Sequence, residues 1–352
     1  MLNRDPRKSW NPVVGSGRIA SLLRFVLALG WFELAGHLAA VSAHGLAPYL
    51  GGEDLYHLIQ RILLLFLLVT GYGYMGLAFD RQQRPLSAMG LKPRPGWARE
   101  FAVGAAVAWG AVLVVAVVIA LGAWLRIEFW TEPRAFWLLG IDLAVIAVAT
   151  LAEEVAFRGY AFQRLMEAIG PTMATVLMAL LVGVVQWATS DGTGVSVLVA
   201  MLTTVLFSIA YLRTRALWLP WGAHFAWNVC LGVLFGLPLS GVLDYATVVQ
   251  GRALGARWLT GGSYGPEGSV VTVFALLGAI IVLVMVTREY AWQYAQPVIV
   301  PGGMAVDVAP PAAHTAMQAA APPAGSTLVQ IAAPPPAQPL PPSRGADEST
   351  SN

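Results

Sequence analysis

The chain has 352 residues, 57% of them hydrophobic and only 11% charged, with a mean hydropathy of +0.66. Water-soluble domains carry about 25% charged residues, so this balance excludes an ordinary aqueous fold, and with it a nucleic-acid partner. The net charge of +2 decides nothing as a total; the placement of the charges does.

Residues 1–18 form a polar, basic head with Arg4, Arg7, Lys8 and Arg18, expected to be a cytoplasmic segment. The apolar run behind it is long and bulky, unlike the short core and small-residue cleavage site of a signal peptide. It is therefore expected to stay in the membrane. Crossing the hydrocarbon takes about 20 apolar residues. Eight stretches qualify: 19–43, 58–79, 101–125, 137–163, 172–190, 193–213, 217–237 and 269–287. Lipid satisfies no free backbone group, so each must be helical. The expected fold is all-α, a polytopic integral membrane bundle of about eight helices over 19–290.

Basic residues alternate with these spans. Arg81, Arg84, Lys92, Arg94 and Arg99 follow the second, Arg164 the fourth, Arg213 and Arg215 the sixth, and Arg288 the last. The intervening loops hold Glu53 and Asp54, a mixed Arg126/Glu128/Glu132/Arg134 group, Asp191, and the near-neutral stretch 239–268. Positive residues stay on the cytoplasmic side, which places both termini there. From residue 296 to 352 the chain turns Pro/Ala-rich and loses all helical period. Such a tail cannot bury enough apolar area to offset its ordering entropy and is expected to be disordered. Cys230 is the lone cysteine, so no internal disulfide is available.

Charged groups inside a spanning helix are costly and mark functional sites. The fourth span carries Glu153, Glu154 and Arg158 near its middle. Glu154 and Arg158 stand four apart and can pair on one face, leaving Glu153 about 100° round the helix. One arginine cannot neutralise two glutamates, so Glu153 is the candidate general base or acid. The seventh span carries His224 and Asn228, again four apart on one face. His37, His44, His57 and His314 lack such company and are read as structural. Other intramembrane protease signatures are missing: no HExxH, no GxGD, and no GxSx nucleophile elbow embedded in a span.

These residues, from about Leu86 to Leu237, resemble the CAAX protease and bacteriocin-processing family of intramembrane endopeptidases, which includes the Ras-converting CAAX endopeptidase. The first family motif stands as EEVAFRGY, Glu153 to Tyr160, with Gly170-Pro171 at the following turn. The third stands as RTRALWLPWGAHFAWN, Arg213 to Asn228, and MGLKPRP, Met89 to Pro95, is similar to a looser upstream feature. The second motif, FxxxH, falls on VGVVQW, with Val182 in place of Phe and Gln186 in place of His.

The resemblance implies hydrolysis of a peptide bond in a membrane-associated protein or peptide at the lipid bilayer. Glu153 would activate the water, and Glu154 with Arg158 would shape the site. His224 and Asn228 would stabilise the oxyanion, and Gln186 would orient the water. Zinc is the metal such a site would hold, with Glu153 and His224 as ligands. Glutamine takes up no proton near neutral pH and binds zinc poorly. A second reading is thus a catalytically silent relative that binds a membrane peptide or partner. A solute transporter would show internal repeats or broken half-helices, and the sequence has none. The heavy use of Ala, Gly, Arg and Pro suggests a bacterial source, hence the inner (plasma) membrane.

Overall fold

The computed structural model describes residues 17–188, 193–243 and 245–290. The basic head before residue 17, the loop 189–192 with Asp191, His314 and the tail from 296 lie outside these.

Each expected span holds a helix. In chain order these are α1 (Arg18–Leu50), α2 (Tyr56–Asp80), a single turn α3 (Pro85–Ala88), α4 (Trp97–Gly122), α5 (Pro133–Arg158), α6 (Tyr160–Ile169), α7 (Pro171–Trp187), α8 (Gly194–Thr214), α9 (Trp218–Asn228), a short α10 (Arg257–Thr260) and α11 (Val270–Val286). Five segments are long and apolar enough to cross a bilayer: α1, α2, α4, the α5–α6 pair and α8. The helices α7 and α11 are shorter, at 17 residues. At 1.5 Å per residue each still covers about 26 Å. The eighth, α9, runs on through a turn of π-helix over Val229–Leu234. Large apolar side chains such as Leu23, Phe66, Val184 and Phe274 point outward and stay more than half exposed. This is the exterior of a lipid-embedded bundle.

Three features depart from the sequence-based expectation. The fourth span is not one helix: it breaks at Gly159, whose φ of −74° and ψ of −124° leave helical geometry. A Cβ there would collide with the carbonyl of Val155, so the glycine of EEVAFRGY is what ends α5. Glu153, Glu154 and Arg158 consequently occupy the last turns of α5. Arg164, expected as a loop charge, is buried, between Asp80 (2.8 Å) and Glu167 (2.7 Å). Arg24 joins Asp80 at 2.7 Å, and this ionic group ties α1, α2 and α6 together at one end of the bundle.

The third is a pair of short strands beside the helices of the expected all-α bundle. β1 (Trp124–Phe129) pairs antiparallel with β2 (Val249–Leu254), from Trp124 opposite Leu254 to Phe129 opposite Val249. The helix expected to reach residue 125 ends at Gly122, and the alternating WLRIEF that follows suits an extended strand. The ribbon joins the loop after α4 to the loop between α9 and α11.

Two apolar clusters fill the interior. One gathers Leu68, Tyr72, Tyr160, Phe162 and Met178, and the other Val112, Phe207, Leu219, Ala223 and Leu276. Ala152 and Val155 of α5 belong to the first, while Phe207 of α8 and Ala223 of α9 belong to the second. The polar residues of α5 and α9 therefore meet along the seam between the two clusters.

The position of α9 is fixed by backbone contact with α4. A Cβ on Gly222 would run into the backbone of Phe101, and one on Gly104 into the carbonyl of Leu219. Such small-residue faces allow close helix approach in membranes. Gly222→Val should push α9 off α4 and lower stability by about 1–3 kcal/mol, read as thermal unfolding of the detergent-solubilised protein. An unchanged unfolding temperature would mean that the two helices are free to separate.

Candidate active site

The site starts at the C-terminal end of α5. Glu154 is fully buried and Arg158 nearly so. Arg158 Nη1 donates to Glu154 Oε1 at 3.3 Å, and its Nη2 donates to the carbonyl of Thr204 on α8 at 3.2 Å. The guanidinium also lies over the Phe207 ring, 5.4 Å from its centroid. A buried charge is tolerated only when paired and hydrogen-bonded in this way.

Phe207 carries the arrangement to α9. Its ring stacks on the imidazole of His224 with centroids 4.8 Å apart and planes 28° from parallel. His224 Nδ1 lies 2.9 Å from Glu154 Oε1, and its Nε2 lies 3.6 Å from Glu153 Oε2. Glu154 accepts from Arg158 and can also accept from His224, so the network assigns a proton to Nδ1. Nε2 then faces Glu153, whose side chain is 38% exposed.

A cavity of about 160 Å³ adjoins this pair, walled by Glu153, Arg158, Gln186, His224, Tyr264 and Glu267. It has room for a few waters and is smaller than the ~300–1,000 Å³ of ordinary ligand pockets. Of the residues singled out in the sequence, Glu153, Arg158, Gln186 and His224 share it, with Glu154 directly behind. Asn228 is not on its wall. Four residues advance a helix by about 6 Å, which carries Asn228 past so small a space.

Gln186 is engaged: its Nε2 donates to the Tyr264 hydroxyl at 2.7 Å. Tyr264 and Glu267 come from the stretch 239–268, expected only as a near-neutral outer loop. Instead the segment folds inward. Glu267 accepts from Trp227 Nε1 (3.0 Å), from the Ser240 backbone N–H (2.7 Å) and from the Ser240 hydroxyl (2.8 Å). Burial pushes the Tyr264 phenol above its ordinary value, against the lowering pull of Ser240, Gln186 and Ser196 hydrogen bonds. The one available signal was the run GGSYGPEGS, where a tyrosine and a glutamate sit among turn-forming glycines just before an apolar span.

Ser196 corrects a further expectation. Gly194–Val197 does read GxSx, at the head of α8, but Ser196 is held in a capping box with Thr193. A serine whose hydroxyl is committed to the Thr193 backbone is not an activated nucleophile. Zinc fares no better. A catalytic zinc takes three protein ligands, and among the described residues no three His, Cys, Asp or Glu side chains converge as a metal set. Glu153 and His224 supply two donors, and the amide at 186 is a weak third. The described residues do not make a zinc site.

Residues 135–230 match the family model described as type II CAAX prenyl endopeptidase Rce1-like. No curated protein and no solved structure matches the chain. The match begins in α5 and ends just beyond α9, so it leaves out Ser240, Tyr264 and Glu267. The matched segment is the one that supplies Glu153, Glu154, Arg158, Gln186 and His224, and it is similar to the type II CAAX prenyl endopeptidase Rce1-like family.

Proposed function

We propose that the protein is a membrane-embedded endopeptidase that hydrolyses a peptide bond of a membrane-associated protein or peptide. The observation that carries this reading is the imidazole of His224 set between two glutamates of different character, beside a water-sized cavity. Glu153, the accessible one, takes a proton from water as the water oxygen adds to the carbonyl carbon. The carbonyl π electrons move to oxygen, and protonated His224 donates from Nε2 to that oxyanion. Glu154, buried behind Nδ1, accepts from that nitrogen and fixes the ring, while Arg158 keeps Glu154 in place. Collapse breaks the C–N bond, and the proton held by Glu153 passes to the leaving amine.

The test is cleavage of a panel of membrane-anchored peptides, prenylated and unprenylated, by the purified full chain. Turnover of any member supports the reading. No turnover, with retained binding of a peptide, would establish the second reading: a silent relative that captures a membrane peptide. Two observations favour that alternative, the commitment of Gln186 to Tyr264 and the small size of the cavity.

We also propose an inner-membrane location with both termini cytoplasmic. The β1–β2 pairing supports the alternation of the spans, because two loops can pair only if they emerge on the same face; the side rests on the placement of the basic residues. Reporter fusions after residue 352 and within 241–266 should then report opposite sides. The same side for both would sink the orientation.

A further inference from the structure

We propose that Tyr264 is a catalytic residue of this site, donating to the oxyanion from the cavity wall that it shares with Gln186. The inference rests on the endopeptidase reading and deepens it.

The argument starts from a directional chain of hydrogen bonds. The Gln186 amide N–H can only donate, so at 2.7 Å the Tyr264 oxygen accepts from it. The Ser240 hydroxyl has one proton, and it goes to the Glu267 carboxylate at 2.8 Å. Ser240 Oγ and Ser196 Oγ both meet the Tyr264 phenol and can then only accept, Ser196 having given its proton to the Thr193 carbonyl. The Tyr264 O–H is thus a donor at rest, polarised by the amide behind it and by the serine and carboxylate ahead. Glu267 is held by three donors, two from Ser240 and one from Trp227. The relay is therefore anchored to α9, three residues from His224.

The same phenol lines the cavity that Glu153 and His224 line. When a peptide carbonyl enters, the O–H can turn from Ser240 to the carbonyl oxygen without leaving Ser240 Oγ short of its own bond to Glu267. No proton is transferred by Tyr264; it donates a hydrogen bond as negative charge gathers on that oxygen. Asn228, the second donor expected from the sequence, is off the cavity wall. A phenol held above its ordinary value by burial stays protonated, and so able to donate, throughout the working pH range.

The experiment uses the purified full chain and the member of the membrane-anchored peptide panel that it cleaves fastest. Tyr264→Phe should lower kcat by about 10²–10³-fold with KM little changed, the loss typical of one oxyanion donor. Gln186→His placed on Tyr264→Phe should restore at least a tenth of the wild-type rate, because imidazole returns a donor to the same cavity wall. Compared with the wild-type pH profile, the double variant should gain an additional titration at about pH 6.5. If Tyr264 only props Gln186 in place, the imidazole gives no rescue and no new titration, and the proposal fails. Full activity in Tyr264→Phe, with Glu153→Gln inactive, overturns the role of Tyr264 and leaves the endopeptidase reading standing. Equal cleavage by the wild type and Glu153→Gln overturns that reading itself. Matching unfolding temperatures among the variants keep misfolding out of the comparison.

Discussion

Glu153→Gln should lower peptide cleavage by at least about 10³-fold and leave the fold untouched. The substitution is isosteric and removes only the ability to accept a proton, a capacity worth ~10²–10⁴-fold. Glu153 can be changed safely because its side chain is 38% exposed and its closest ionic contact is a long 3.6 Å approach to His224. Unfolding temperature and elution profile should match the wild type, while kcat collapses. Wild-type cleavage by this variant would remove Glu153 from the chemistry.

Glu154→Ala should behave in the opposite way, failing first as a folded protein. The side chain is fully buried, pairs with Arg158 at 3.3 Å and meets His224 Nδ1 at 2.9 Å. Removing one partner of a buried pair leaves the other charge uncompensated, a cost of about 3–5 kcal/mol. Arg158 would keep only the carbonyl of Thr204 and its place over Phe207. The loss should appear as a much lower unfolding temperature in detergent. Glu154→Gln, which keeps an acceptor for both neighbours, should recover part of it. A stability change below about 1 kcal/mol for the alanine variant would show that Arg158 reaches water once its partner is gone.

The contrast between these adjacent glutamates shows what the sequence conveys. Their spacing from Arg158, and the spacing of His224 along its own helix, follow from helical period, and the expense of charge in lipid makes them conspicuous. The spans were legible for the same reason, since twenty apolar residues in a row have few alternatives. The break at Gly159 was less so: a glycine at the end of a motif reads as an ordinary helix residue until the clash with Val155 is seen. Tyr264, Ser240 and Glu267 were invisible because nothing local draws a glycine-rich loop inward. What draws it is the pairing of β2 with a strand more than a hundred residues earlier, together with the reach of Trp227 to Glu267.

That ribbon also sets an order of assembly. Pairing Trp124–Phe129 with Val249–Leu254 closes a loop containing α5 to α9, and contacts so distant in sequence form late because loop-closure entropy precedes their reward. During synthesis the residues from Glu153 to His224 enter the membrane before β2 exists. For that interval the polar seam between α5 and α9 has no roof from residues 240–267. A chain stopped just before Val249 would hold the charged and imidazole groups of the site while lacking Tyr264 and Glu267. The uncovered seam is then the part of the nascent protein most in need of protection from solvent and from other unfinished helices.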